Sequence, residues 1–550
     1  MTPSPNLLST ARAWADDDPH DGDRAEVEAL IEAAPTDDAA TAELARRFAG
    51  PLTFGTAGLR GPLRAGPAGM NAAVVTRAAA GLGAWLRAGG HDGGGVVIGY
   101  DARHRSDEFA RLSAEVLAGA GFAVQVLPRP LPTPVLSFAV RHLGAVAGIM
   151  VTASHNPPQD NGYKVYLGDG AQLVPPADRE IEAAIAAVGS LRSLPRSDEW
   201  VTCGDDVEAD YVAAVVDALE PGRVALADRQ RLTVAYTAMH GVGSATTRRV
   251  FEAAGFGPLH TVPQQDRPDP AFPTVAFPNP EEPGAVDLLV ASAEQAGADV
   301  AIAEDPDADR CSVVVGGRQL TGDEVGVLLG DWLLRRGVRG TYACSLVSGS
   351  LLGALARAHG VPFEQTPTGF KWIIRAGSAG APLVFGYEEA LGYAVSPGVA
   401  HDKDGISAAL AVALLAAELR ADGRTLTDRL DELAVEHGLF ATGPLSVRVE
   451  DLSVISGAMA RLRARPPAQL LGRDVEAVDL ADADPPVDAV RLTGDGVRVV
   501  VRPSGTEPKL KAYLETVVPV ADAAGLPVAR ERGAAELDRL RTEMSAALGL

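Results

Sequence analysis

The sequence predicts an α/β protein: three related mixed or parallel-sheet domains, then a smaller C-terminal α+β domain. Three observations predict it. A strand–helix–Gly–strand–strand pattern occurs three times, at 96–150, 232–303 and 342–385. Each round ends in an apolar strand followed at once by a polar loop. After about residue 440 the pattern gives way to short alternating strands broken by Pro466-Pro467 and Pro485-Pro486. Strand–helix–strand order with a glycine between helix and strand implies a mainly parallel sheet covered by helices. Loops at the carboxyl ends of such strands are where α/β folds place their chemistry.

The chain has 550 residues, enough for three to four domains at roughly 150 residues each. The boundaries expected are 1–220, 221–321, 322–440 and 441–550. Residues 1–50 read as acidic helices ahead of the first domain, and Phe54–Gly61 is a glycine-rich loop carrying Arg60. In the first round a strand at 96–100 ends in Asp101-Ala102-Arg103. A helix at 108–118 and strands at 123–127 and 145–150 follow, and the last delivers Val151-Thr152-Ala153-Ser154-His155-Asn156-Pro157. The second round delivers Glu304-Asp305-Pro306-Asp307-Ala308-Asp309-Arg310 after a strand at 300–303. The third delivers Gly386-Tyr387-Glu388-Glu389-Ala390-Leu391-Gly392 after a strand at 382–385. Helices are expected at 206–219, 322–335 and 408–420. The last domain carries a strand at 497–501, the cluster Arg502-Pro503-Ser504-Gly505-Thr506-Glu507-Pro508-Lys509, and a closing helix at 534–548.

A net charge of −23 and a pI near 4.9 argue against non-specific binding to nucleic acid or an anionic membrane. Cys203, Cys311 and Cys344 are too far apart for a metal site and read as buried reduced thiols. No export signal opens the chain, and the longest uncharged helical run, 405–417, is too short to span a bilayer. The expectation is a soluble, cytoplasmic protein, its oligomeric state open.

Asp305, Asp307 and Asp309 at alternate positions would repel one another unless a cation sat among them. Their hard oxygens favour Mg²⁺ or Ca²⁺. An EF-hand is excluded, because the sixth residue is Arg310 and the twelfth is Gly316. The segment from Arg502 to Thr506 offers a guanidinium, two hydroxyls and backbone amides to a phosphate. Glu388 and Glu389 can accept hydrogen bonds from vicinal sugar hydroxyls. Ser154 sits in no hydrolase elbow, and neither a Walker A loop nor a dinucleotide fingerprint is present. A phosphoryl group must then come from a small molecule or from the protein itself, and a phosphorylated Ser154 beside the metal meets both needs.

These four loops, in this order over essentially the whole length, resemble the α-D-phosphohexomutase superfamily, the phosphoglucomutase and phosphomannomutase enzymes. The resemblance implies four domains around a central cleft, and that Ser154 is the phosphoserine. It implies that Asp305, Asp307 and Asp309 bind Mg²⁺ with a Ser154 phosphate oxygen, and that Arg502, Ser504, Gly505 and Thr506 hold the substrate phosphate. By the same carry-over Arg60 and Lys164 flank the phosphoserine, and Arg310 lies beside the metal loop. Lys371, in Thr368-Gly369-Phe370-Lys371, reaches the substrate.

Lys164 or a neighbour is cast as general base, a lysine's pKa being depressed by nearby cations, and His155 either orients or donates to the phosphate or serves a structural role. The implied reaction interconverts a sugar 1-phosphate and 6-phosphate of glucose or mannose through a sugar bisphosphate, which also serves as activator. One residue departs from the family. Ala390 stands where the sugar loop carries a serine. With Phe54–Gly58 and Asp402-Lys403-Asp404-Gly405, it resembles the branch that includes phosphopentomutases and glucose-1,6-bisphosphate-forming enzymes. A pentose 1-phosphate to 5-phosphate mutase is therefore the alternative. A metal-dependent phosphatase and a non-catalytic phosphosugar-binding protein are the other two.

Overall fold

The computed structural model describes residues 4–53, 58–449, 451–504 and 509–550. The chain divides into two compact units, Met1–Gly317 with Ser396–Ala413, and Arg318–Val395 with Leu414–Leu550.

The first unit opens with three helices, Pro5–Asp17, Asp21–Ala33 and Asp38–Arg47, packed on Ala11, Val27, Ile31 and Leu44. A six-stranded sheet follows in the order Leu59–Pro62, Asp160–Leu167, Ala147–Val151, Gly95–Tyr100, Ala123–Val126, Val201–Thr202. The last four run parallel, and the first two pair antiparallel beside them. Apolar side chains alternate to both faces, so the central strands are buried between helices, with Val96, Ile98, Ile149 and Val151 in the core. A second sheet places Val300–Glu304 between parallel Val234–Thr237 and antiparallel Cys311–Val315.

The second unit contains a sheet in which Thr341–Ser345 lies between Phe363–Thr366 and Ala381–Glu388, both parallel to it. It also contains a fully antiparallel sheet ordered Leu439–Arg448, Lys509–Val518, Val497–Pro503, Val490–Gly494, Arg473–Asp479, Gln469–Leu470. The helices Leu452–Ala464 and Leu526–Leu548 pack on it through Met459, Leu540 and Met544.

The expected strands and helices are present with shifted ends. The closing helix starts at Leu526 rather than 534, with Pro527 in its first turn, where a proline costs no helical hydrogen bond. Among the elements near the site that were not expected from the sequence are the strands Leu59–Pro62, Asp160–Leu167 and Cys311–Val315 and the helices Ala72–Ala88 and Thr133–His142. Lys164 interrupts the apolar run of its strand, and Pro132 and Pro134 mask a helix start. The three cysteines are free and buried. Among the described residues no helix is long and apolar enough to cross a membrane.

Candidate active site

The strand Ala147–Val151 is buried along its whole length and ends in the serine loop. Ser154 is 2% exposed and left-handed, at φ +50°. Its N–H donates to Thr152 Oγ1 at 2.9 Å, which tightens the turn and aims the side chain. Arg103 holds the loop from behind, its guanidinium donating to the carbonyls of Ser154 (2.6 Å) and Asn156 (2.5 Å). Arg60, on the strand Leu59–Pro62, donates to Asn156 Oδ1 at 2.8 Å.

The strand Val300–Glu304 delivers the aspartates against the same loop. Ser154 Oγ donates to Asp305 Oδ2 at 2.7 Å and lies 3.2 Å from His155 Nδ1. One carboxylate oxygen from each of Asp305, Asp307 and Asp309 lies within 4.8 Å of the others, and all three residues are fully buried. Ala308, at φ +55°, turns the loop so that the three acids face inward. Asp307 Oδ2 accepts from Thr133 Oγ1 (2.7 Å) and Lys164 Nζ (2.8 Å). Asp309 Oδ2 accepts from Lys164 Nζ (2.8 Å) and pairs with Lys403 Nζ (2.9 Å). Lys403 comes from the segment 396–413, which Asp402 anchors to Tyr166 and Gln172, both at 2.7 Å. The backbone N–H of Arg310 closes the loop on Asp305 Oδ1 at 3.1 Å, and its guanidinium lies 3.9 Å from Asp305 Oδ2.

The electrostatics call for a cation. Burial first, then the charges of Asp307 and Asp309, push the Asp305 carboxyl well above its ordinary range. Burial and Asp309 push Asp307 the same way, but Lys164 and Thr133 more than offset them. Asp307 Oδ1 and Asp309 Oδ1 are buried with no hydrogen-bond partner among the described residues. Buried carboxylate oxygens of this kind could hold a hard divalent ion, and an all-oxygen set fits Mg²⁺. Burial and the cations Arg310 and Arg60 hold His155 well below its usual pKa, so its ring is neutral.

Lys164 departs from the sequence expectation. Burial lowers its pKa, but Asp307 and Asp309 raise it by more. Its immediate partners are carboxylates rather than cations, and they favour its charged form.

The remaining expected residues belong to the second unit. Glu388 ends the strand Ala381–Glu388, and Ala390 lies in the turn to Gly392–Ala394. Beside it, Glu389 accepts from Ser345 Oγ at 2.9 Å and Ser348 Oγ at 3.2 Å. Thr368 precedes Gly369, whose φ of +109° opens the short helix Phe370–Ile373 and brings Lys371 to a buried position. Arg502 is on the strand Val497–Pro503, opposite Lys511, and Ser504 donates its N–H to Lys509 O at 2.8 Å. Gly505 and Thr506 lie outside the described residues.

Sequence reasoning noticed Arg103 and Lys403 only as parts of short motifs and overlooked Thr133. Pairing an arginine with Asp101 at a strand's end was the signal available for the first. Thr133 carried none, since its partner lies 174 residues away.

Comparison with known proteins places these loops in a common frame. Four family models match in order: phosphoglucomutase/phosphomannomutase alpha/beta/alpha domain I at 51–192, domain II at 209–318, domain III at 321–436, and the C-terminal domain at 456–531. A probable phosphomannomutase of Haemophilus influenzae is 45% identical over 463 residues, covering 81% of this chain and 93% of that protein. The phosphopentomutase of Mus musculus is 35% identical over 533 residues, covering 87% and 86%. A crystal structure assigned as a phosphomannomutase from Thermus thermophilus superposes with a TM-score of 0.69 at 28% identity, covering 88% of this chain and 99% of that one.

Proposed function

Because the chain belongs to the phosphoglucomutase/phosphomannomutase family of the α-D-phosphohexomutase superfamily and is by that membership a phosphosugar mutase, we propose that it interconverts the 1-phosphate and 6-phosphate of glucose or mannose through phospho-Ser154. The observation that carries this reading is the 2.7 Å hydrogen bond from Ser154 Oγ to Asp305, in a trio of buried aspartates.

Asp305, Asp307 and Asp309, with an oxygen of the serine phosphate, would hold Mg²⁺, which when bound offsets charge on the transferring group. The Oγ–P bond of phospho-Ser154 breaks as a P–O bond forms to the free sugar hydroxyl, giving a sugar bisphosphate. The hydroxyl proton ends on Ser154 Oγ. Lys164, whose charged form Asp307 and Asp309 favour, is assigned to acid–base transfer, giving a proton to Oγ and recovering one from the hydroxyl. His155 orients Oγ, and Arg60 holds the loop through Asn156. After the bisphosphate turns over, the serine takes the other phosphoryl group by the same exchange in reverse.

In the second unit, Arg502, Ser504, Gly505 and Thr506 are assigned to the distal phosphate. Thr368, Gly369, Lys371, Glu388 and Ala390 are assigned to the sugar, and Arg310 to the rim of the metal loop. We carry the four-part division at 1–220, 221–321, 322–440 and 441–550 into this reading. Purified protein should carry one phosphoryl group on the peptide containing Ser154, and Ser154→Ala should abolish turnover. An alanine variant active with a bisphosphate primer would overturn the covalent step.

A second reading, mutase action between pentose 1-phosphate and 5-phosphate, is favoured by Ala390 in place of the sugar-loop serine and by the similarity to the mouse phosphopentomutase. Rates on glucose, mannose, ribose and deoxyribose 1-phosphates separate the two.

A further inference from the structure

The helices Pro5–Asp17, Asp21–Ala33 and Asp38–Arg47 precede the first matched domain, which begins at residue 51. Asp23, buried on the second of them, lies 3.3 Å from His20 Nδ1 within its own segment and makes two kinds of contact outside it. Its carboxylate takes the Arg105 guanidinium as a fork, at 2.7 and 2.9 Å, and its Oδ2 accepts from the N–H of Ala72 at 3.0 Å. Glu108 forks the same guanidinium at 2.8 Å through both of its oxygens. Arg105 needs that much holding. It stands at φ +65°, ψ 7°, a left-handed conformation that a side chain disfavours. A non-glycine residue keeps such a backbone only where its surroundings over-determine it.

The turn that Arg105 closes also carries Arg103. Asp101 Oδ1 accepts from Arg103 N at 3.0 Å and from Ser106 Oγ at 2.6 Å, and Ser106 N donates to Arg103 O at 3.1 Å. From this turn the Arg103 guanidinium reaches four carbonyls of the serine loop: Ser154 (2.6 Å), Asn156 (2.5 Å), Pro157 (2.8 Å) and Asp160 (3.2 Å). Two left-handed residues, Arg105 and Ser154, are therefore linked through one short turn and one side chain. The outer member of that chain, Asp23, is supplied by a segment that no matched domain includes.

We infer that Asp23 is a positioning residue for phosphoryl transfer: by fixing Arg105 in the left-handed turn from which Arg103 grips the serine loop, it makes the N-terminal helical segment a working part of the active site. This rests on Ser154 as the phosphoryl carrier.

Glycine adopts a positive φ without cost and alanine does not, so two variants that lose the same ion pair separate holding the turn from simple docking. With the full-length protein, kcat and KM for a sugar 1-phosphate are measured for Asp23→Asn, Arg105→Ala, Arg105→Gly and the double variant Asp23→Asn/Arg105→Gly. Asp23→Asn and Arg105→Ala should each lose roughly tenfold in kcat with KM within about twofold. Arg105→Gly should turn over at least about fivefold faster than Arg105→Ala, and the double variant faster than Asp23→Asn alone. Equal losses in the glycine and alanine variants, or a wild-type kcat in Asp23→Asn, would overturn the inference. If Asp23→Asn does not fold, the Arg105 pair decides by itself. Full activity in Ser154→Ala would sink the carrier reading instead. A dead Ser154→Ala together with indifferent Arg105 variants would sink this inference alone.

Discussion

Ser154 Oγ donates to Asp305 Oδ2 at 2.7 Å although 151 residues separate the two in sequence. The serine lies in the loop after one strand and the aspartate begins the loop after another, so two independently built sheets place a hydroxyl on a buried acid. The other two acids are held by cations and a hydroxyl, and each keeps an oxygen with no hydrogen-bond partner among the described residues.

The first expectation concerns those oxygens. Chelation should stop turnover and added Mg²⁺ should restore it. Asp307→Asn should lower kcat/KM by roughly 100-fold or more, since it removes a charged ligand rather than a ligand's support. Full-rate turnover in excess chelator would contradict the metal assignment.

Thr133 supports Asp307 from the helix Thr133–His142, with its N–H on Asp307 O (3.0 Å) and its hydroxyl on Oδ2 (2.7 Å). Thr133→Val keeps the shape and the backbone contact but loses the hydroxyl donor. The Mg²⁺ concentration for half-maximal activity should rise about tenfold while kcat at saturating Mg²⁺ changes little. An unchanged activation curve would count against the support.

Asp18 caps the first helix and is buried, and burial first, with Asp23 adding to it, raises its carboxyl to about 6. The unfolded value is 3.8, so the folded protein binds the extra proton between those two pH values. Stability from this group is present below about pH 4 and is lost as pH rises toward 6. Asp18→Asn should therefore flatten the decline in apparent Tm over that window and raise it at pH 7 by roughly a few °C. A parallel decline in wild type and variant would show that Asp18 does not titrate there.

Ala390 tests the sugar. Ala390→Ser returns a hydroxyl to the turn after Glu389. It should raise the ratio of hexose to pentose kcat/KM by about three- to tenfold, the range of one hydrogen bond. No change in the ratio would remove this position from the choice of substrate.

Much of this was readable before any coordinates. The three strand-end loops are local signals, each a few residues after an apolar run, and periodicity locates such runs well. What escaped was whatever depended on distant partners. Lys164 lies mid-strand with both sheet faces buried, where sequence offers no cue that a lysine can be satisfied. Its partners, Asp307 and Asp309, come from another sheet and reverse the pKa shift the sequence led one to expect. Arg103 was visible as a residue and invisible as a clamp, because its acceptors are backbone carbonyls, which no side-chain pattern records.

The return of residues 396–413 to the first unit makes that unit discontinuous along the polymer. A fragment ending at Gly317 would strand several groups: Asp309 without Lys403, Tyr166 without Asp402, and the Tyr211 hydroxyl without Asp404, which it meets at 2.9 Å. The unit that bears Ser154 and the three aspartates is thus no separable cassette. Anyone wishing to swap or express it alone must splice the second stretch back in, and recombination between relatives should succeed only where both stretches travel together.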